Sequence, residues 1–290
     1  MATIITTTLN KRFVAPALPQ PTQDFDVAYF QQFNNVLRLY FNQLDQLLGQ
    51  LVSVINDGSG ITFPYGAFHQ NGTTTLSSNI TNVSTTPISV ASTAAFPASG
   101  WILIGSEIIQ YTSKTATTFD GTITRGVLGT TNVAHTAGDA ISEVQGTGSP
   151  TTIGTVLFNN TDFSNGVAVD PTNQANILFS KAGIYNLQFS AQLLNFTTAE
   201  DNVTMWFSKN GTDVPNSASI EQVNSKHGTS PGATIMTVNI YEQFDVGDTV
   251  TLNWASDTGN TVVASYPAGT SPVHPVSPAI IFTATFISAP

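Results

Sequence analysis

The groups that could carry chemistry in this 290-residue chain are few: eight Lys and Arg, eighteen Asp and Glu, four His and no Cys. Without thiols there is no disulfide, no thiolate nucleophile and no cysteine metal site. The histidines, His69, His135, His227 and His274, are far apart. None has a spacing such as H-E-x-x-H, which sets two imidazoles on one helix face. No G-x-S-x-G elbow, P-loop or G-x-G-x-x-G occurs. Eighteen carboxylates leave room for a glycosidase-like pair to meet in space. Most of them stand in turns, however. Asp120, Asp170, Asp213, Asp245 and Asp248 flank Gly, Pro or Thr, where a short acceptor side chain caps backbone amides. These residues predict no enzyme, no metal and no cofactor.

Binding chemistry is confined to loop tips. Lys209 and Asn210 sit at an Asn-Gly hairpin, and Tyr266 and His274 in the Pro-rich stretch 265–277. These four are the candidate receptor-facing residues, against the blander expectation that a charge beside a tight turn is simply solvated. Trp206 and Trp254 lie among apolar neighbours and predict core or subunit-axis packing over sugar stacking. A net charge of −10, with the basic residues scattered, excludes the footprint that nucleic acid requires. No apolar run approaches the roughly twenty residues that span a bilayer, which predicts no membrane insertion. The first twelve residues lack a basic region ahead of an apolar stretch and predict no signal peptide. The sequons at Asn71, Asn195, Asn202 and Asn210 are expected by chance in a chain this rich in Asn, Ser and Thr. Only 9% of residues are charged, far below the usual quarter or so, which suits surfaces that pack against copies of themselves.

The elements that must position these residues follow from pattern. Residues 1–25, with Pro16, Pro19 and Pro21, form an extended arm. Residues 26–56 predict a helix with a filled heptad seam: Phe30, Leu37, Leu44 and Leu51 at one position, Phe33, Tyr40, Leu47 and Val54 at the other. Phe41, Leu48 and Ile55 widen the stripe, which favours three or more helices over two. Residues 57–79 are a Gly/Thr/Ser-rich linker enclosing the aromatic patch 63–69, expected to be buried at a subunit junction. Residues 80–145 predict a separate small β module with strands at 88–90, 101–104, 107–111 and 140–143 and a turn at Gly105-Ser106. A Gly-rich linker opens the last segment, 146–290.

That last segment carries alternating strands and one hairpin signal. Tyr185, Leu187, Phe189, Ala191 and Leu193 alternate with polar partners, and Asn210-Gly211 is preferred chemistry for a type I′ turn. The order G-x-Y at 183–185, W-x-x-KNGT at 206–212, F-x-x-GD-x-V at 244–250 and an apolar final strand at 279–287 resembles the trimeric jelly roll of complement globular heads and tumour-necrosis-factor-like domains. It is most similar to the version in virion proteins of tailed bacteriophages, particularly marine podovirus-like and cyanophage-like ones. The runs 98–111, 124–131 and 134–135 likewise resemble a small β module that recurs in phage structural proteins.

The resemblance implies a mainly β fold with a C-terminal antiparallel jelly-roll sandwich, assembled as a homotrimer. It also implies a place on the outer surface of a virion, head or tail. The arm and helix, residues 1–56, would dock on other virion proteins (capsid, portal or adaptor, or tail subunits), and the jelly roll would project as a fibre, spike or decoration. The competing function is a tail-fibre adhesin that recognises a host glycan or surface protein; a depolymerase would need a working carboxylate pair. Some jelly rolls of the resembled family bind calcium through apical carboxylates, and Asp201, Asp245, Asp248 and Asp257 are the candidates here.

Overall fold

The structure is a computed structural model that describes residues 27–56, 63–145 and 149–290. The predicted arm, residues 1–25, lies outside the described residues. The chain divides into two compact units, Met1–Thr62 and Phe63–Pro290. In the first, α1 runs Val27–Asn56, with no acidic residue in its first turn and no basic one in its last. Its ends are thus not tuned to the helix dipole, and its one strong feature is the apolar stripe. Along that stripe Phe33, Leu37, Tyr40 and Leu44 are half-buried, while Phe30, Phe41 and Leu48 are 45, 58 and 49% exposed. The side chains of Leu47, Leu51 and Val54 are outside those described.

The second unit is mainly antiparallel β. Its principal strands are β1 (Tyr65–Gln70), β2 (Thr73–Thr75), β3 (Gly100–Ile104), β4 (Glu107–Tyr111), β5 (Thr124–Val127), β6 (Ala140–Gln145), β7 (Asn160–Asn165) and β8 (Val167–Val169). They continue with β9 (Ile177–Phe179), β10 (Gly183–Asn195), β11 (Asp201–Lys209), β12 (Ser219–Val223), β13 (Gly232–Phe244), β14 (Thr249–Ser256), β15 (Thr261–Ala264) and β16 (Ile280–Ser288). One eleven-stranded sheet has the order β7-β1-β16-β10-β15-β6-β3-β4-β5, with β13 paired to β10 and β2 to β6. A seven-stranded sheet has the order β8-β9-β14-β11, with β12 also on β11 and the two-residue strands Gly154–Thr155 on β14 and Thr212–Asp213 on β11 completing it. The inward residues of both, among them Phe189, Phe207, Trp254 and Phe282, form one core. Strict alternation along β14, and along β10 as far as Leu193, follows from the two-residue period of a strand with one covered face.

Two segments differ from their sequence reading. Residues 57–79 were expected to be a linker, yet β1 and β2 lie within them. Phe68 is fully buried in the sandwich core and stacks with Phe282. The strand is specified by partners distant in sequence, since β1 pairs with β7 and reaches β16 at Gln70↔Ile280. The 80–145 module has its own core of Leu76, Ile88, Ile102, Tyr111, Phe119 and neighbours. Its sheet nonetheless continues into the sandwich, because β6 pairs with β15 through Val144↔Ala264 and Gln145↔Val263. A third cluster, including Leu103, Val144, Leu194, Phe196 and Val262, seals that junction.

Candidate functional site

Lys209 and Asn210 end β11 at the expected turn, with φ of 51° at Asn210 and 78° at Gly211, the two positive values that a type I′ hairpin needs. Both side chains face the neighbouring 245–248 turn. Asn210 Nδ2 donates to Asp248 Oδ1 at 2.7 Å, and Asn210 Oδ1 accepts from the Thr249 amide at 2.8 Å. Lys209 Nζ is 3.1 Å from Asp248 Oδ2, donates to the Gln243 carbonyl at 2.6 Å and lies 5.2 Å from the centre of the Phe244 ring. Burial would raise the Asp248 carboxyl, but the Asp245 amide, Asn210 and Lys209 outweigh it and hold it below the usual range. The pair therefore staples two turns together. Trp254 is fully buried in the core; Trp206 is half-buried and donates to Asp213 Oδ1 at 2.8 Å.

Tyr266 and His274 lie on another loop. Tyr266 is half-buried, exchanges two backbone bonds of 2.9 Å with Ser277, and has its phenol pushed up by burial. His274 is exposed, and its Nδ1 donates to the Pro275 carbonyl at 2.8 Å. Beside it Val273 is 87% exposed. Among the described residues no hydrogen bond or ion pair joins these two to the Lys209–Asn210 pair. The four acidic candidates fall in two pairs at opposite ends of β14, Asp245 with Asp248 and Asp201 with Asp257. Asp201 is buried and accepts from Thr261 Oγ1 at 2.7 Å and from the Thr258 amide at 3.1 Å, while Asp257 accepts from Asn202 at 3.0 Å. Among the described residues no three His, Cys, Asp or Glu stand together as a metal-ligand set.

Two buried glutamates were not singled out by sequence. Glu107, fully buried at the start of β4, takes a bidentate pair from Arg125, Nε to Oε1 at 2.6 Å and an Nη to Oε2 at 2.7 Å. His135 Nε2 lies 2.8 Å from Oε2, and the amides of Gly126 and Val133 donate at 3.1 Å each. Arg125 spends its remaining donors on the carbonyls of Thr81, Ser84 and Val133. Burial would raise the Glu107 carboxyl; Arg125, Val133 and His135 reverse that and hold it below the ordinary range. Both Glu107 oxygens and all three Arg125 nitrogens are engaged.

Glu143 on β6 is 3% exposed and has no such partners. Gln145 and Asn159 approach its two oxygens only at 3.4 Å. Burial pushes its carboxyl up to about 8, against weaker opposing pulls from Gln70 and Lys114. Gln70, fully buried, faces Glu143 closely enough to favour its charged form, but neither amide atom meets a partner at hydrogen-bond geometry. Asn159 Nδ2 donates to the Ala95 carbonyl at 2.9 Å, and its Oδ1 accepts from the Asn71 amide at 3.0 Å. These groups surround a cavity of about 170 Å³ between the 94–97 loop of the module and residues 157–160 of the sandwich. Glu143 is the sole carboxylate on its lining, so it lacks the second carboxyl that glycoside hydrolysis uses. No protein-family model and no curated protein matches this sequence.

Proposed function

We propose that this chain is a non-enzymatic structural protein of a tailed-phage virion, a homotrimer that docks through residues 1–56 and projects a jelly-roll head. The observation that carries the reading is the path of the chain through the sandwich. From β9 to β15 the chain crosses five times between the two sheets, with β9 in the smaller, β10 in the larger, β11 and β12 in the smaller, β13 in the larger, β14 in the smaller and β15 in the larger. Crossing of this kind is the habit of a double-sheet jelly roll, and the motifs of the resemblance fall on β10, the β11 hairpin, the β13–β14 turn and β16.

The outward face of the larger sheet supports three copies. Residues directly opposite share a face, so Ile184, Asn186, Gln188, Ser190 and Gln192 of β10 stand with Ile235, Thr237, Asn239, Tyr241 and Gln243 of β13. Ile281, Thr283 and Thr285 of β16 complete it. None is charged, and Ile235, Tyr241 and Ile281 are 61, 65 and 43% exposed. Burying such a face between copies desolvates no charge, and it covers β13, a thirteen-residue strand whose one ladder partner among the described residues is β10. The apolar stripe of α1 fits the same assembly, since three helices can share one axis.

Deleting residues 1–25 tests the polarity: the protein should remain a soluble trimer and lose incorporation into particles. Incorporation that survives this deletion but is lost without residues 146–290 would make the β domain the anchor. The adhesin reading is favoured by the exposed tip at Val273 and His274. Copy number separates the two, hundreds per particle for decoration and a few trimers for a tail appendage.

A further inference from the structure

We propose that residues 94–97 form a pH-sensitive latch over the junction of the module and the sandwich, shut while Glu143 is a neutral acid and released when it becomes a carboxylate. The segment belongs to no strand, and Ala94 and Ala95 are exposed between the buried Thr93 and Phe96. Side chains, not a ladder, hold it down by its carbonyls. Lys114 Nζ donates to the Thr93 carbonyl at 2.7 Å and also to that of Phe96. The Tyr111 hydroxyl donates to the Pro97 carbonyl at 2.9 Å. Asn159 Nδ2, from the sandwich, donates to the Ala95 carbonyl at 2.9 Å and so ties the two parts together.

The same three donors answer to Glu143. Asn159 Nδ2 lies 3.4 Å from Glu143 Oε2, so it stands between the latch and the acid. The Lys114 ammonium favours the charged form of Glu143, and burial together with the Glu143 charge pushes the Tyr111 phenol up. Among the described residues Lys114 and Tyr111 are the titratable groups whose charge bears on it; Gln70, Gln145 and Asn159, which also face it, are neutral amides. Burial keeps the acid neutral up to about 8. Once ionised, it is an acceptor about twice as strong as a carbonyl, so the Asn159 amide and the Lys114 ammonium turn toward it and the carbonyls of Ala95 and Phe96 lose their donors. Glu143 itself cannot move to meet them. It is laddered to Ile102, its amide donates to the Gly72 carbonyl at 2.7 Å, and a Cβ on Gly72 would stand only 2.4 Å from Oε2. The latch gives way instead, and the cavity of about 170 Å³ beneath it admits the water that solvates the new charge. The sign is fixed: the folded value lies above 4.5, so the open fraction grows by up to about tenfold per pH unit from 4.5 to about 8 and levels off above. This inference rests on the tethers and the cavity, and its failure would leave the virion reading untouched.

The test is hydrogen-exchange mass spectrometry of the full chain at pH 6 and pH 8, with rates corrected for the intrinsic pH dependence of exchange. Two peptides report on the latch, one holding the Phe96 amide, bonded to the Thr93 carbonyl at 3.0 Å, and one holding the Asn71 amide, bonded to Asn159 Oδ1 at 3.0 Å. A third, holding Leu187 and Phe189 of β10, laddered on both sides, reports on global unfolding. Protection of the first two should fall about tenfold or more between the two pH values while the third stays constant, and Glu143→Gln should abolish the fall. Asn159→Ala, which cuts one tether without touching the acid, should lower protection of the Phe96 peptide severalfold already at pH 6; it keeps the idea decidable should Glu143→Gln not fold. No fall in the wild type, an equal fall in Glu143→Gln, a parallel loss in β10, or unchanged protection in Asn159→Ala would each overturn the proposal.

Discussion

Glu107 and Glu143 are both almost completely buried, on strands separated only by β3, yet the fold treats them in opposite ways. Glu107 is surrounded by a guanidinium, an imidazole and two amides and is held as a carboxylate. Glu143 is surrounded by carboxamides that stop short of it and is held as an acid beside open space. A buried charge that is fully partnered is a structural rivet, and its environment leaves nothing for a ligand to do. A buried carboxyl that meets only amides at the limit of hydrogen-bond distance keeps its proton, and the desolvation cost of its charge falls on the fold as the pH rises. The lesson is that burial alone does not set the charge of a carboxyl; the partners it meets there do.

The largest effect should come from dismantling the rivet. Arg125→Ala strands a buried carboxylate, and chemical denaturation should show a loss of about 3–5 kcal/mol. The pH dependence has a definite sign. The Glu107 carboxyl is depressed in the fold, so its contribution is present above its ordinary value of 4.5 and disappears as the pH falls through the folded value. Glu143 behaves in the opposite sense. Its folded value near 8 lies above 4.5, so no penalty exists below 4.5, and the penalty grows as the pH rises from 4.5 to about 8 and is complete above that. Glu143→Gln should therefore leave stability unchanged at pH 4 and raise it by about 2–4 kcal/mol at pH 9, read from melting curves at the two pH values. Equal effects at both would dissolve the contrast between the two glutamates.

Smaller changes sharpen it. A Cβ on Gly72 would stand 2.4 Å from Glu143 Oε2 and 2.7 Å from Glu143 Cβ, so Gly72→Ala must move the acid. We expect a cost of about 1–3 kcal/mol and a lower melting temperature. Asn210→Ala, on the other sheet, removes bonds to Asp248 and Thr249 and puts Ala at a positive φ. It should cost about 1–2 kcal/mol without altering the pH profile of either glutamate.

What the sequence disclosed and what it concealed follow the range of the interactions. The helix α1, the alternation of β10 and β14, the Gly105-Ser106 turn and the Asn210-Gly211 turn are local patterns, written within a few residues. β1 is not local. Its composition resembles a linker, and only its pairing with β7 and β16 makes it a strand. Both glutamate sites are hidden for the same reason. Arg125 and His135 lie eighteen and twenty-eight residues beyond Glu107, and Gln70 meets Glu143 only because β1 and β6 converge on one cavity. A charged residue opening the run EIIQY looks solvated until the sheet closes over it. Lys209 illustrates the converse: a charge beside a hairpin looked available, and the 245–248 turn holds it.

The central claim is that three copies assemble through α1 and the charge-free face of β16, β10 and β13. Sedimentation equilibrium of the full chain measures this directly. The account predicts a single species near three times the 30.7 kDa chain mass, stable on dilution. A stable 30.7 kDa monomer, with the helix intact by circular dichroism, would contradict it.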